Sequence, residues 1–346
     1  MGDTGTAQQG AHEGVQEGVH EGVQGEAQEG APSTAGALFR AGLLGDAVEA
    51  AGEAVRRRPA HAASRLLLAE MLLFAGSLER ADAALRALDA TDPGAALVAA
   101  EFRQLLRAET ARRQVLLEGR APEFLGAPTQ AQSHLLRALA AARGGDIAEA
   151  AAEAAAAERS RPRAGGLASG AAFDDCRDAD DLWAGTFEVL TTTGKCFWVP
   201  TERIESLEPH PPVRARDLFW QRCTMSVRDG PDGDVYLPAL YLTPDDARDS
   251  LRLGRETEWT EGRGAGQRVF LLGEDGVPMQ LLPALSFRQD EAWAGRDEAL
   301  IGQHGAGQHG VGQHGVGQHG AGQHGAGQDV ARPGAGPGLA VAGSAP

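Results

Sequence analysis

The chain has 346 residues, a formal charge of −16 and a pI near 5.1. That acidic balance argues against a nucleic-acid surface, because phosphate contacts need clustered Lys and Arg. Cys176, Cys196 and Cys223 stand 20 and 27 residues apart, which suits neither a zinc pair nor a disulfide framework, and they read as reduced thiols.

Residues 1–33 are low in complexity. From His12 a four-residue unit recurs (HEGV, QEGV, HEGV), acidic and with a Gly in every unit. The Val spacing matches a helix period, but each Gly costs about 1 kcal/mol relative to Ala, so a disordered segment is expected. No basic stretch leads into an apolar core, and no run approaches the ~20 apolar residues of a membrane span. The expected location is the cytoplasm.

An Ala- and Leu-rich stretch with helical periodicity follows over 34–163, and it carries an internal repeat. Gly42, Leu44, Ala47 and Pro59 align with Gly76, Leu78, Ala81 and Pro93, each pair 34 residues apart. A third copy reads Gly145, Ile147, Ala150 and Pro162, with the same 12-residue step from Ala to Pro. The period is that of tetratricopeptide repeats. Gly ends a first helix, an apolar residue packs the turn, Ala lets two helices approach, and Pro stops the second. Twelve residues before each Ala stand Ala35, Ala69 and Ala138, where the first helix also needs a small side chain. Between copies two and three, 95–118 reads as one longer helix with Phe102, Leu105, Leu106, Leu116 and Leu117 on its apolar side.

Stacked helix pairs form a curved array whose inner face is lined by the first helix of each pair. In this register that face includes Phe39, Leu66, Glu70, Leu73, Leu135 and Leu139. Five of these six are apolar, so the face suits an amphipathic helix of a partner or a cover provided by the chain's own second domain. Both readings stand at this point.

After Gly165 and Gly166 the texture changes to short runs rich in Val, Thr, Phe, Trp and Tyr, which marks a boundary at 163–170 and an α+β domain over 167–290. Segments 225–228 and 235–237 flank the turn Asp229-Gly-Pro-Asp-Gly, and 270–273 and 277–282 flank Glu274-Asp-Gly; each pair reads as a hairpin. Trp198, Trp220 and Trp259 are expected in the core. The acidic run 174–181 lacks calcium-loop spacing, and its aspartates read as caps at a helix N-terminus. His61, His134 and His210 have no nucleophile motif nearby, and neither a phosphate loop nor GxGxxG is present. Residues 291–346 return to low complexity. The pentamer GQHGA/V places His304, His309, His314, His319 and His324 at five-residue intervals. Imidazoles so spaced can bind Ni, Cu or Zn, but nothing supplies the groups that orient evolved ligands, so no metal site is assigned.

The second half carries a specific ordered set of segments. They are Phe173-Asp-Asp, Arg177-Asp-Ala-Asp-Asp, Trp183 with Phe187-Glu-Val-Leu, and Lys195-Cys-Phe-Trp-Val-Pro. Glu202-Arg-Ile, Pro211-Pro212, Arg216-Asp-Leu-Phe-Trp, Leu237-Pro-Ala-Leu-Tyr and Leu253-Gly-Arg-Glu-Thr-Glu-Trp follow. Together these resemble the C-terminal domain of the ImpE (SciE- or TagJ-type) family of type VI secretion accessory proteins. Phe102-Arg103, Leu105-Leu-Arg-Ala-Glu and the 119–122 segment resemble its helical half, so the likeness covers about 36–290. Cys196 departs from the family, which more often has an aromatic there. The resemblance implies a non-enzymatic adaptor without a cofactor, binding a short helix of the small sheath subunit. Two alternatives remain: a repeat scaffold for another complex, and a hydrolase using Asp178, Asp180 or Asp181.

Overall fold

The computed structural model describes residues 34–88, 93–244 and 246–288, all within one unit of the chain. The N-terminal HEGV repeat and the five tail histidines lie outside the described residues. The first part is helical: α1 (Ala35–Ala41), α2 (Leu44–Arg57), α3 (Ala62–Phe74), α4 (Leu78–Arg86) and α5 (Pro93–Glu118). After the short strand β1 (Glu123–Phe124) come α6 (Gln130–Arg143) and α7 (Ile147–Ser160).

The three spaced glycines end helices as their chemistry requires. Gly42, Gly76 and Gly145 have φ of 89°, 71° and 81°, a left-handed backbone that strains any residue with a Cβ. The small residues at the crossings of the first two pairs are sealed: Ala35 is 5% exposed, and Ala47, Ala69 and Ala81 are 0%. The third pair differs. Ala138 is buried, yet Ile147, aligned with the buried Leu44 and Leu78, is 56% exposed. Among the described residues α7 is the last helix before the strand-rich part begins.

Two expectations about helix ends change. Pro59 and Pro162 follow α2 and α7, but Pro93 opens α5, at the first helical position, where its missing N–H has no partner to lose. In α5, Phe102, Leu105, Leu106 and Leu116 are buried while Leu117 is 62% exposed, because the helix turns that position away from the sheet it packs on.

From Gly166 the chain is mostly strand. The run β2 (Gly166–Ala168), β3 (Ala171–Phe173), β4 (Cys176–Asp178), β5 (Thr186–Leu190) and β6 (Cys196–Pro200) leads to β7 (Ile204–Pro209), β8 (Trp220–Val227) and β9 (Asp232–Pro238). After α8 (Asp249–Arg252) come β10 (Thr257–Thr260), β11 (Arg263–Gly266), β12 (Val269–Leu272), β13 (Asp275–Pro278) and β14 (Leu285–Phe287). The architecture is therefore mixed α+β, helices first and strands after. Nine strands form one sheet in the order β1-β6-β5-β9-β8-β7-β14-β2-β3, and β13-β12-β4 and β10-β11 form two smaller sheets. Both expected hairpins are present: β8 pairs with β9 through Cys223 and Val235, and β12 with β13 through Phe270 and Val277. The helical part supplies the edge strand β1, which pairs in parallel with β6 through Phe124 and Trp198.

The acidic run does not cap a helix. Cys176, Arg177 and Asp178 form β4, which pairs with β12, and 181–185 is a turn. Trp198 and Trp220 are 0% and 1% exposed, but Trp259 is 46% exposed, its ring resting at 5.7 Å on Tyr241 from the β10–β11 hairpin. A two-stranded hairpin covers only one face of its side chains, which leaves the other face to solvent.

Helices and sheet share their cores. One cluster joins Leu73, Leu85, Phe102 and Leu105 to Leu190, Phe219, Trp220 and Tyr236. Another joins Leu135, Leu139 and Ala157 to Trp183, Trp198 and Tyr241. Trp183 and Trp198 meet edge to face at 5.2 Å, a geometry worth about 1 kcal/mol beyond the area buried.

Candidate functional site

The six positions expected on an inner face separate into two environments. Leu73, Leu135 and Leu139 are 0%, 1% and 4% exposed, buried in clusters that helices and strands share. Phe39, Leu66 and Glu70 instead line an open cleft of about 580 Å³ between α1, α3 and the segment 212–218. Sequence reasoning missed that second wall. Its available signal was Pro211-Pro212 followed by an apolar residue, Val213, which stands 87% exposed at the cleft edge.

Each wall is fixed by local chemistry. The Thr34 hydroxyl accepts the Ala37 amide at 3.3 Å and starts α1. At the other end, Arg255 Nη2 donates to the carbonyls of Phe39 and Arg40, both at 2.7 Å, closing the last turn of α1. His61 begins α3, its Nδ1 accepting the Ser64 amide at 3.3 Å. The 212–218 wall is tied by Asp217, whose Oδ2 accepts the amides of Val213 and Arg214 at 2.8 and 2.9 Å. Arg216 reaches across to α5, donating to Glu101 at 2.7 Å with its guanidinium 5.2 Å over the Phe102 ring. Behind the cleft, rings run edge to face from Phe39 to Phe74 (5.0 Å), to Phe219 (5.2 Å) and to Trp220 (5.4 Å).

Glu70 is the one acidic residue among the described lining residues and is 7% exposed. Burial pushes its carboxyl up to about 7, against the opposing pull of Arg216 and Arg214. Arg40 and Arg214 contribute the positive charges of the lining.

The aspartates of the acidic run are committed elsewhere: Asp178 joins an ionic network between α5 and the sheets, while Asp174, Asp175, Asp180 and Asp181 pair with Arg163, Arg161, Arg263 and Arg177. Arg112 Nε donates to Glu188 at 3.0 Å, its Nη1 to Glu109 at 3.2 Å and its Nη2 to the Leu240 carbonyl at 3.2 Å. Trp220 Nε1 donates to Glu109 at 3.1 Å, and Arg268 to Glu188 at 2.6 Å. Burial opposes the charge on Glu188, but Arg112 and Arg268 override it and hold the carboxyl below its usual range. Asp178 accepts the Tyr241 hydroxyl at 2.6 Å and pairs with Arg268 at 3.2 Å. Asp180 accepts Arg263 and the amides of Leu182 and Gly264 at 2.9–3.0 Å. Asp181 is the outward member, its side chain 61% exposed and 3.0 Å from Arg177. His61 caps α3, His134 bonds Glu153 at 2.7 Å, and His210 bonds Thr224 at 2.9 Å; the three are dispersed. All three cysteines are buried and free, and burial pushes their thiols up. Among the described residues no helix is long and apolar enough to cross a membrane.

Several of the segments that carry the resemblance are thus the ones that join helices to sheet. Arg216 and Trp220 grip α5, Arg255 closes α1, and Glu188 anchors Arg112. Comparison with known proteins agrees. Residues 170–286 match the model of the ImpE protein family. Over 259 residues the chain is 32% identical to the type VI secretion system accessory component TagJ of Pseudomonas aeruginosa, covering 74% of this chain and 91% of that one. The crystal structure of protein VPA1032 from Vibrio parahaemolyticus matches with a TM-score of 0.69 and 27% identity, over 75% of this chain and 98% of the other. The chain belongs to the ImpE/TagJ family of type VI secretion accessory components.

Proposed function

We propose that the protein is a non-enzymatic, cytoplasmic adaptor of a type VI secretion system. Its helical part acts as a short tetratricopeptide-like array that captures an amphipathic helix of the small sheath subunit. The observation that carries this reading is the cleft: Phe39, Leu66, Leu218 and Val213 present apolar surface at an opening that no described strand lines. Exposed apolar surface of this kind accepts the i, i+3 and i+4 anchors of a helix. The family relationship supports the secretion context. The engagement of Asp178 and Asp180 with arginines, a tyrosine and backbone amides supports a structural use of these carboxylates over a hydrolytic one.

Titration of the full chain with the small sheath subunit encoded in the same genome tests the proposal. Saturable binding near micromolar, about −8 kcal/mol, is expected. Leu66→Glu, which places a charge on the cleft wall at a half-buried position, should weaken it at least about tenfold by leaving that charge desolvated. Binding that ignores this change moves the site away from the cleft. Absence of binding removes the sheath subunit as partner.

A further inference from the structure

We propose that the cleft selects a helix whose apolar anchors are flanked by acidic residues, with Arg40 and Arg214 receiving those carboxylates; this rests on reading the cleft as a helix-docking groove.

The charge distribution points this way. The chain as a whole carries −16. The ionisable groups among the described lining residues are nevertheless Arg40, Arg214 and Glu70, two cations against one carboxylate. Exposed arginines elsewhere divide: Arg56 pairs with Glu53 at 2.5 Å, Arg137 with Glu153 at 3.0 Å and Arg222 with Asp234 at 2.5 Å, whereas Arg57, Arg58, Arg80 and Arg159 have no ion pair among the described residues. Among the described residues Arg40 and Arg214 have no ion-pair partner of this kind, and both are exposed. They come from different elements, α1 and the 212–218 segment, so they border the apolar lining from separate sides. A planar guanidinium at each place suits bidentate capture of a carboxylate.

Glu70 strengthens the argument. It lies against Arg216 and Arg214, with Asp217 also near, and burial favours its neutral form. With its carboxyl raised to about 7 it carries only about half a negative charge at neutral pH, and it takes up a proton more readily when an acidic ligand approaches. A basic helix would have to pass two like charges to reach it, and such juxtapositions oppose the wrong partner. The long-range field of an acidic protein favours cationic ligands, so a local preference for an acidic helix is a discriminating expectation.

The test uses two synthetic helical peptides with the same leucine anchors at i, i+3, i+4 and i+7. They differ only in carrying glutamate or lysine at the flanking positions. Each is titrated against the full chain and against its Arg40→Ala/Arg214→Ala variant, with sedimentation of the free protein in parallel. The glutamate peptide should bind at least about tenfold tighter, with the preference falling below about twofold in the variant and shrinking as salt rises. Equal binding of the two peptides overturns the proposal, and tighter binding of the lysine peptide overturns it in favour of Glu70 as the anchor of a basic helix. Binding of neither peptide also overturns it, and a sedimenting dimer would then identify a second copy as the occupant. These outcomes are separate from the sheath titration. Glutamate selectivity without sheath binding leaves the charge preference standing and removes only the partner.

Discussion

Replacing Glu70 with glutamine isolates the electrostatic strain at the cleft. The carboxyl is 7% exposed and is pushed from 4.5 to about 7, chiefly by burial, against the pull of Arg216 and Arg214. The folded protein therefore holds this proton more tightly than the unfolded chain does. Stability from this group is fully present below the unfolded value and is lost as pH rises through the folded one. A rise from 4.5 to about 7, at 1.36 kcal/mol per unit, makes the loss about 3 kcal/mol. Glutamine has nearly the same shape and never ionises, so it escapes that loss. Wild type and variant should differ by a constant at about pH 4, and the variant should gain about 3 kcal/mol by about pH 9, some 6–12 °C in Tm for a protein of this size. The charged groups facing Glu70 are Arg214, Arg216 and Asp217. The difference curve, which should change between 4.5 and about 7 and level off above that, therefore belongs to Glu70. Thermal unfolding followed by circular dichroism across that range measures it. Parallel pH profiles, or a variant that loses ground at high pH, would refute the reasoning and show that Arg214 and Arg216 hold the ionised form.

Arg112→Ala should destabilise the protein by about 3–5 kcal/mol in urea unfolding, because Glu188 and Glu109 are left buried with their shared cation gone. Changing Arg112 and Glu188 together to methionine should recover much of the loss. Gly145→Ala places a Cβ in open space at φ 81° and should cost only the left-handed penalty, about 1–2 kcal/mol. Gly266→Ala adds a collision with the Glu256 carbonyl oxygen at φ 93° and should cost clearly more, which thermal melts of the two variants compare directly. Cys176, Cys196 and Cys223 should react with a thiol reagent at neutral pH only as fast as the protein opens, since burial raises each thiol. Rapid labelling of the native protein would contradict their placement.

Much of this molecule is legible without coordinates. The spacing of Gly42, Gly76 and Gly145 marks three helix ends, because only glycine accepts the left-handed backbone there without cost. The alanines that precede and follow them mark where helices cross, and two Gly-containing turns between β-rich runs mark the hairpins. These are local rules, each satisfied within a few residues. The ordered segments of the second half identified the family by the same kind of reading.

What lies between distant segments was decided only by packing. Periodicity puts Leu66, Leu73, Leu135 and Leu139 on one kind of face, but it does not say which of them the strands will cover. The fold encloses Leu73, Leu135 and Leu139 and leaves Leu66 at a cleft whose other wall comes from 212–218, well over a hundred residues away. The acidic run shows the same limit. A cluster of aspartates reads as a helix cap because capping is the commonest local use of that chemistry. Asp178 and Asp180 became strand and turn residues because Arg268, Tyr241 and Arg263, far along the chain, offer stronger partners once burial makes an unpaired carboxylate costly. Local geometry is written in neighbouring residues, whereas burial and charge pairing depend on what the rest of the chain brings alongside.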